Sequence, residues 1–223
     1  DLNTVGYKYC PGEIMAGNPK WNQDLNTWKG YFSSWISGSQ PKDILDLAIF
    51  LDFRCIYGDQ SLIEKLRDHV NQFADGKSVF FYHLAQPILK MKFLPNLPGN
   101  LKAASHSETQ VDIKMALLMV QSYIRLYAIR EKLESINSNE RADKLHEMSV
   151  ISASTLEEFS EPFDFLTYQR IKNQAYSISR NEAPGNTIRL GQLSHIEALT
   201  LKKIHADIAN LQSSLGSVYS RAD

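Results

Sequence analysis

Only two cysteines, Cys10 and Cys55, occur in 223 residues. No CxxC pair and no cysteine–histidine cluster at zinc spacing accompanies them, so neither a disulfide framework nor a structural zinc site is encoded. Both thiols are expected to stay reduced, in a cytoplasmic setting. An excess of charge is missing too: 24 basic against 25 acidic residues leave a formal net charge of -1. No global field therefore draws the chain to nucleic acid or to a membrane surface, and an anionic ligand has to be held by local groups. No stretch approaches the ~18 consecutive apolar residues of a membrane-spanning helix. No spacing fits a Walker loop or a dinucleotide fingerprint. The first residues, DLNTVGYKYC, carry no signal peptide and look like the interior of a longer protein.

What is present is an ordinary globular composition, 43% hydrophobic and 22% charged, on a chain long enough for one large domain or a small and a medium one. Residues 1 to 60 stand apart: they hold Trp21, Trp28, Trp35, both cysteines and most of the turn chemistry. Cys10-Pro11-Gly12 and Gly17-Asn18-Pro19 predict an ordered, irregular loop over residues 8 to 20. Either the loop packs Met15 and Trp21, or its small residues, Ala16 and Gly17, let backbone N–H groups approach a ligand. Leu25, Trp28, Phe32 and Trp35 recur at helical spacing and predict an amphipathic helix over 22 to 37, closed by Gly38. Core packing accounts for these tryptophans better than base stacking does.

The run ILDLAIFLDFRCIYGD, Ile44 to Asp59, predicts a strand over about 47 to 56. Period-two alternation would point Asp52 and Arg54 to one face and Leu51 and Phe53 to the other. A buried carboxylate costs several kcal/mol unless something receives it. Asp52 is therefore either half of an ion pair with Arg54 or a residue placed for chemistry, and spacing alone favours the ion pair.

From Asp59 onward the pattern is helical. Asp59 can cap a helix ending at Gly76. A second helix is expected over 77 to 92, disturbed at Pro87, and a loop over Phe93 to Ser107. A long helix follows from Val111 to about Leu133, with Met115, Leu118, Ser122 and Leu126 near one face, then a shorter one over Asn139 to Met148. Thr155 and Glu158 have capping-box spacing before a helix to about Arg180. NEAPGN, 181 to 186, is a turn. Ser194 and Glu197 form a second capping box before the last helix, to about Arg221. Together these predict a mainly α fold, an antiparallel helical bundle.

CPGEIMAGNPKW at 10 to 21, the tryptophan helix and IFLDFRCIYGDQSL at 49 to 62 together resemble a bacterial nucleotidyltransferase family. It is related to the protein-PII uridylyltransferases and often sits behind cyclic-nucleotide-binding or CBS regulatory domains. VDIKMALLMVQSYIRLYAI at 111 to 129 and PGNTIRLGQLSHIEALTLKKIHADIANLQ at 184 to 212 extend the likeness to that family's substrate-binding helical domain. The resemblance implies the C-terminal part of an α/β catalytic domain over 1 to 60 and a helical substrate-binding bundle over 61 to 223. It implies transfer of a nucleoside monophosphate from a nucleoside triphosphate to an acceptor hydroxyl, with Mg2+ and a protein among the acceptors. It makes Asp52 the third of three catalytic, metal-binding carboxylates. Arg54, Asp112 and Lys114 become substrate-binding candidates.

Departures from the family pattern matter as much. The Gly-Ser turn followed by an Asp-x-Asp pair is missing, and Gly38-Ser39 with Asp43 and Asp46 is a decoy of the wrong spacing. One carboxylate cannot hold two metals, so the chain alone is expected to be inactive, with the missing strand pair in upstream catalytic and regulatory domains. An apolar face left by a missing half-domain would favour a homodimer. Without the resemblance, Asp112 is an acid meeting a helix dipole and Lys114 a solvated lysine. His106-Ser107-Glu108 is more plainly an exposed loop than a metal site, and His195 and His205 share no face. The competing expectation is a helical regulatory or protein-interaction module in signal transduction, without catalysis.

Overall fold

A computed structural model describes residues 2–38, 41–93 and 110–219. They fall into two compact units, Asp1–Gly76 and Lys77–Asp223.

In the first unit, the loop before the tryptophan helix is organised around one carbonyl. The Asn18 side-chain amide and the Trp21 indole N–H both donate to the Glu13 oxygen, at 3.0 and 3.1 Å. Helix α1 (Leu25–Ser37) begins where the Asp24 carboxylate accepts the Thr27 N–H at 2.8 Å, an N-cap that satisfies one orphan donor. Its apolar stripe packs on α2 (Pro41–Phe50) and α3 (Gln60–Ala74). Phe32 and Trp35 are buried, and Trp35 stacks on Phe50 with ring centroids 5.7 Å apart. Trp21 and Trp28 join the same aromatic cluster, as core packing predicts. Asp59 caps α3 through the Ser61 N–H at 2.9 Å. Because α3 packs on α1, the first compact unit extends past residue 60 to Gly76.

The strand expected over 47 to 56 is not formed. Residues up to Phe50 are helical, Leu51 and Asp52 turn, and 53–59 are irregular. A continuous apolar run without strict alternation fits a buried helix as well as a strand. Two local features favour the helix: Pro41 at its first position and Asp43 in its first turn. A helix also satisfies its own backbone, whereas the described residues of this unit offer no neighbouring strand to complete a ladder.

The second unit is an up-down-up-down bundle of α4 (Ser78–Lys90), α5 (Ile113–Arg130), α7 (Ala153–Ser179) and α8 (His195–Tyr219), with α6 (Ser138–Glu147) packed on α5 and α7. Side-chain bonds fix the directions. Asn210 reaches Glu158 and Lys203 reaches Glu161, so α7 and α8 run antiparallel. Gln212 donates to the Ile88 and Met91 carbonyls and Gln86 to that of Tyr219, so α4 opposes α8. Tyr123 donates to Ser214 and Arg130 to Tyr219, so α5 runs with α8 across the core.

Ile124, Leu145, Phe159, Leu166 and Leu215 are fully buried at its centre. Helix α5 is buried on several faces; of the residues that spacing sets near one face, Leu126 is buried while Met115 and Leu118 are exposed. With Met115 and Leu118 adding apolar residues to the exposed side, spacing does not single out the buried face. Helix α7 starts before its expected position, because Ser152 caps the Thr155 N–H at 3.1 Å. Pro87 and Pro162 lie inside α4 and α7 without ending them. Most of the loop expected over Phe93 to Ser107, and His106, Ser107 and Glu108, lie outside the described residues. No helix among the described residues is long and apolar enough to cross a membrane.

At one end of the bundle, β1 (Gln110–Asp112) pairs antiparallel with β2 (Thr187–Arg189). The register sets Val111 against Ile188, both buried, and leaves Gln110, Asp112, Thr187 and Arg189 on the solvent face. Three-residue strands are too short for their alternation to stand out in the sequence.

Candidate functional site

The ladder end of the bundle brings several polar side chains together around one cleft. The start of α8 lies beside the C-terminal half of α7, and β2 with the 3₁₀ turn Leu190–Gln192 fills the connection between them. Between these elements is a cleft of about 360 Å3 lined by Gln169, Lys172, Asn173 and Tyr176 of α7 and by Ile188, Arg189, Gln192 and Leu193.

Glu197 organises this end. With Ser194 it forms the reciprocal capping box expected from the sequence: the Ser194 N–H donates to Glu197 Oε2 at 2.8 Å, and the Glu197 N–H to Ser194 Oγ at 3.2 Å. Its other oxygen accepts from Lys172 Nζ and from Gln169 Nε2, each at 2.7 Å. These bonds, the Lys172 ammonium first, hold the Glu197 carboxyl down to about 2, and the same contact raises the Lys172 ammonium. Asn173 donates to the Gly185 and Thr187 carbonyls, both at 3.3 Å, and Arg170 to Asn186 at 2.8 Å, so α7 fastens the turn that carries β2. The Tyr176 hydroxyl accepts from Arg180 at 3.0 Å.

The residues singled out in the sequence divide between the two units. Asp52 is half-buried in the turn after α2 and Arg54 is exposed beyond it, so they do not share a strand face. Phe53 between them faces an apolar cleft of about 300 Å3 with Trp28, Phe32 and Phe50. Asp112 and Lys114 lie at the ladder end of the second unit, both exposed. Asp112 is the α5 N-cap, accepting the Met115 N–H at 3.2 Å. Asp112→Ala is expected to lower the stability of this unit by about 1 kcal/mol, read by urea denaturation.

Gln169, Lys172, Tyr176 and Arg189 escaped sequence reasoning. Their one visible signal was the Ser194–Glu197 box, whose further partners lie 25 and 28 positions away on another helix.

The Mg2+ implied by the resemblance finds no complete ligand set among the described residues. Among the described residues no group of three or more His, Cys, Asp or Glu could hold a metal ion. Asp52 follows the C-terminal end of α2, where a carboxylate meets the negative end of the helix dipole.

Comparison with known proteins gives two matches. Residues 78–219 match the family described as "Putative nucleotidyltransferase substrate binding domain", and residues 1–42 match "Putative nucleotidyltransferase DUF294". No curated protein and no solved structure matches the chain.

Proposed function

The chain belongs to the family of the "Putative nucleotidyltransferase substrate binding domain", and on that premise we propose that its helical unit receives the acceptor of a nucleotidyl transfer. In the reaction a nucleoside monophosphate passes from a nucleoside triphosphate to an acceptor hydroxyl, as in uridylylation of a PII-like protein, with release of pyrophosphate. The cleft at the ladder end is the observation that carries this reading. It lies within the matched residues 78–219 and brings a lysine, an arginine, amide side chains and a tyrosine around an apolar floor. That is the make-up of a small polar-ligand site: apolar walls with a few convergent donors.

Asp112 and Lys114 stand at the same end of the unit and are proposed to border the acceptor's path. Asp52 is the one catalytic carboxylate proposed for this chain, and Arg54 its companion on the nucleotide side. The Asp-x-Asp pair does not occur in residues 1–223 in the family's setting, so it has to come from other residues. Catalysis belongs to the assembled enzyme, in a cytoplasmic setting.

Following pyrophosphate with each nucleoside triphosphate and Mg2+ tests this division. Residues 1–223 alone are expected to release none above background. An enzyme that joins them to an Asp-x-Asp strand pair is expected to release it in an acceptor-dependent way. Release by residues 1–223 alone would sink the division of labour, and turnover unchanged by Asp52→Ala in the joined enzyme would remove Asp52 from the site. If the joined enzyme releases none, the second reading stands: a non-catalytic helical module in signal transduction.

A further inference from the structure

We infer that the cleft between α7, β2 and the Leu190–Gln192 turn binds a small organic anion, a carboxylate or phosphate monoester on a flat or apolar body, with Arg189 as its main counter-charge. The inference rests on the acceptor-binding reading of this unit and names the chemistry its cleft selects.

Glu197, which bonds two of the cleft's lining residues, is spent: Oε1 already accepts from Lys172 and Gln169 and Oε2 from the Ser194 N–H. No carboxylate among the described residues lines the cleft. Lys172 keeps further N–H groups after that pairing, since an ammonium has three. Arg189 is exposed on the solvent face of the ladder, and no hydrogen bond from its guanidinium to another described residue is present. A guanidinium offers five donors in a planar fork suited to carboxylate and phosphate.

The other charges nearby do not cancel it. Asp112 lies diagonally across the ladder with one oxygen accepting the Met115 N–H at the positive end of the α5 dipole, and no ion pair joins it to Arg189 among the described residues. Arg180 is paired with Glu182 at 3.1 Å. Arg170 bonds the neutral Asn186 amide and adds positive charge. Lys172 and Glu197 offset one another, so Arg189 is the cleft's cation with no ion-pair partner among the described residues. Donors are in surplus there, and the complement of a donor surplus is an anion.

The remaining walls describe the body of the ligand. Ile188 and Leu193 supply an apolar floor, and the Tyr176 ring stands 55% exposed with its hydroxyl held by Arg180. A volume of about 360 Å3 fits a group of small-molecule size, free or carried by a larger acceptor.

Three probes titrated against the full chain, followed by NMR at low salt, test the assignment: phenyl phosphate, benzoate and benzyl alcohol. At least one anion is expected to bind with Kd on the order of 1 mM, as a ligand of about ten heavy atoms should. Benzyl alcohol is expected to bind far more weakly. Arg189→Gln should weaken anion binding at least ~10-fold and Arg189→Lys less, because a charged hydrogen bond is lost in the first and partly kept in the second. Arg189 is exposed and pairs through its backbone, so the variants should fold like the parent, which circular dichroism checks.

Tighter binding of phenyl phosphate assigns a phosphate ester; tighter benzoate assigns a carboxylate. Equal binding of benzyl alcohol, no binding of either anion, or an unaffected Arg189→Gln overturns the inference. Anion binding with no nucleotidyl transfer by the joined enzyme overturns the proposed reaction alone. Transfer without anion binding overturns the cleft alone.

Discussion

Phe159→Ala is expected to cost the helical unit about 3–5 kcal/mol, a large share of the 5–15 kcal/mol that holds a typical domain folded. Phe159 lies in α7, the helix that touches α5, α6 and α8, and it is completely excluded from solvent. Its ring stacks on that of Phe163 one turn later, with centroids 5.4 Å apart and planes 19° from parallel. Truncation removes the ring's transfer free energy, abolishes the aromatic pair and leaves a cavity among helices that cannot all close on it. Phe159→Leu keeps most of the volume and should cost about 1–2 kcal/mol. Urea denaturation at fixed pH reads both. A loss under about 1 kcal/mol for the alanine variant would mean that the bundle collapses around the gap and is less tightly packed than Phe159 indicates.

Glu197→Ala is expected to cost a further large amount, about 2–4 kcal/mol, by another route. It removes half of the capping box of α8, worth about 1 kcal/mol. It also strands the Gln169 amide, which is 3% exposed and donates to Glu197, so a buried donor loses its acceptor at about 1–3 kcal/mol. The charge adds pH dependence. The Glu197 carboxyl titrates at about 2 in the folded chain against an ordinary 4.5. A depressed carboxyl contributes stability that is fully present above its unfolded value and lost as pH falls through its folded one. The loss should therefore run from about pH 4.5 down to about pH 2. Glu197 is 17% exposed but its Lys172 partner is 50% exposed, so solvent screening discounts the charge contribution to about 1–2 kcal/mol. Glu197→Gln keeps the shape and should lose only that part. If parent and Glu197→Gln lose stability in parallel between pH 5 and pH 2, this carboxylate is not held by its partners.

Helix starts were legible where a side chain does the capping. Asp59, and Ser194 with Glu197, each announce a helix by chemistry confined to four residues, and the structure uses all three. Ser152 capped α7 ahead of the box read at Thr155 and Glu158, because neighbouring Ser and Thr compete for the same duty. The tryptophan helix was legible because its apolar stripe is narrow. Leu47–Leu51 was not, since an unbroken apolar run carries no period, and that misplaced Asp52 and Arg54 on one face of a strand. The bundle itself was legible as helices in series, but its cleft was not. Gln169 and Lys172 meet Glu197 only after two long helices fold back on one another, a juxtaposition no local pattern encodes.

The connection from α7 to α8 looks like an ordinary surface turn, of the kind that accommodates insertions and deletions freely. Its second half is different, because Ile188 must meet Val111 while Arg189 faces out. One added or deleted residue between Thr187 and Leu193 would slip the ladder by one place. It would expose the isoleucine, drive the guanidinium inward and shift the cleft wall. Length variation among related chains should therefore collect around Asn181–Gly185, leaving the stretch from Thr187 to Leu193 constant in length while its residues change.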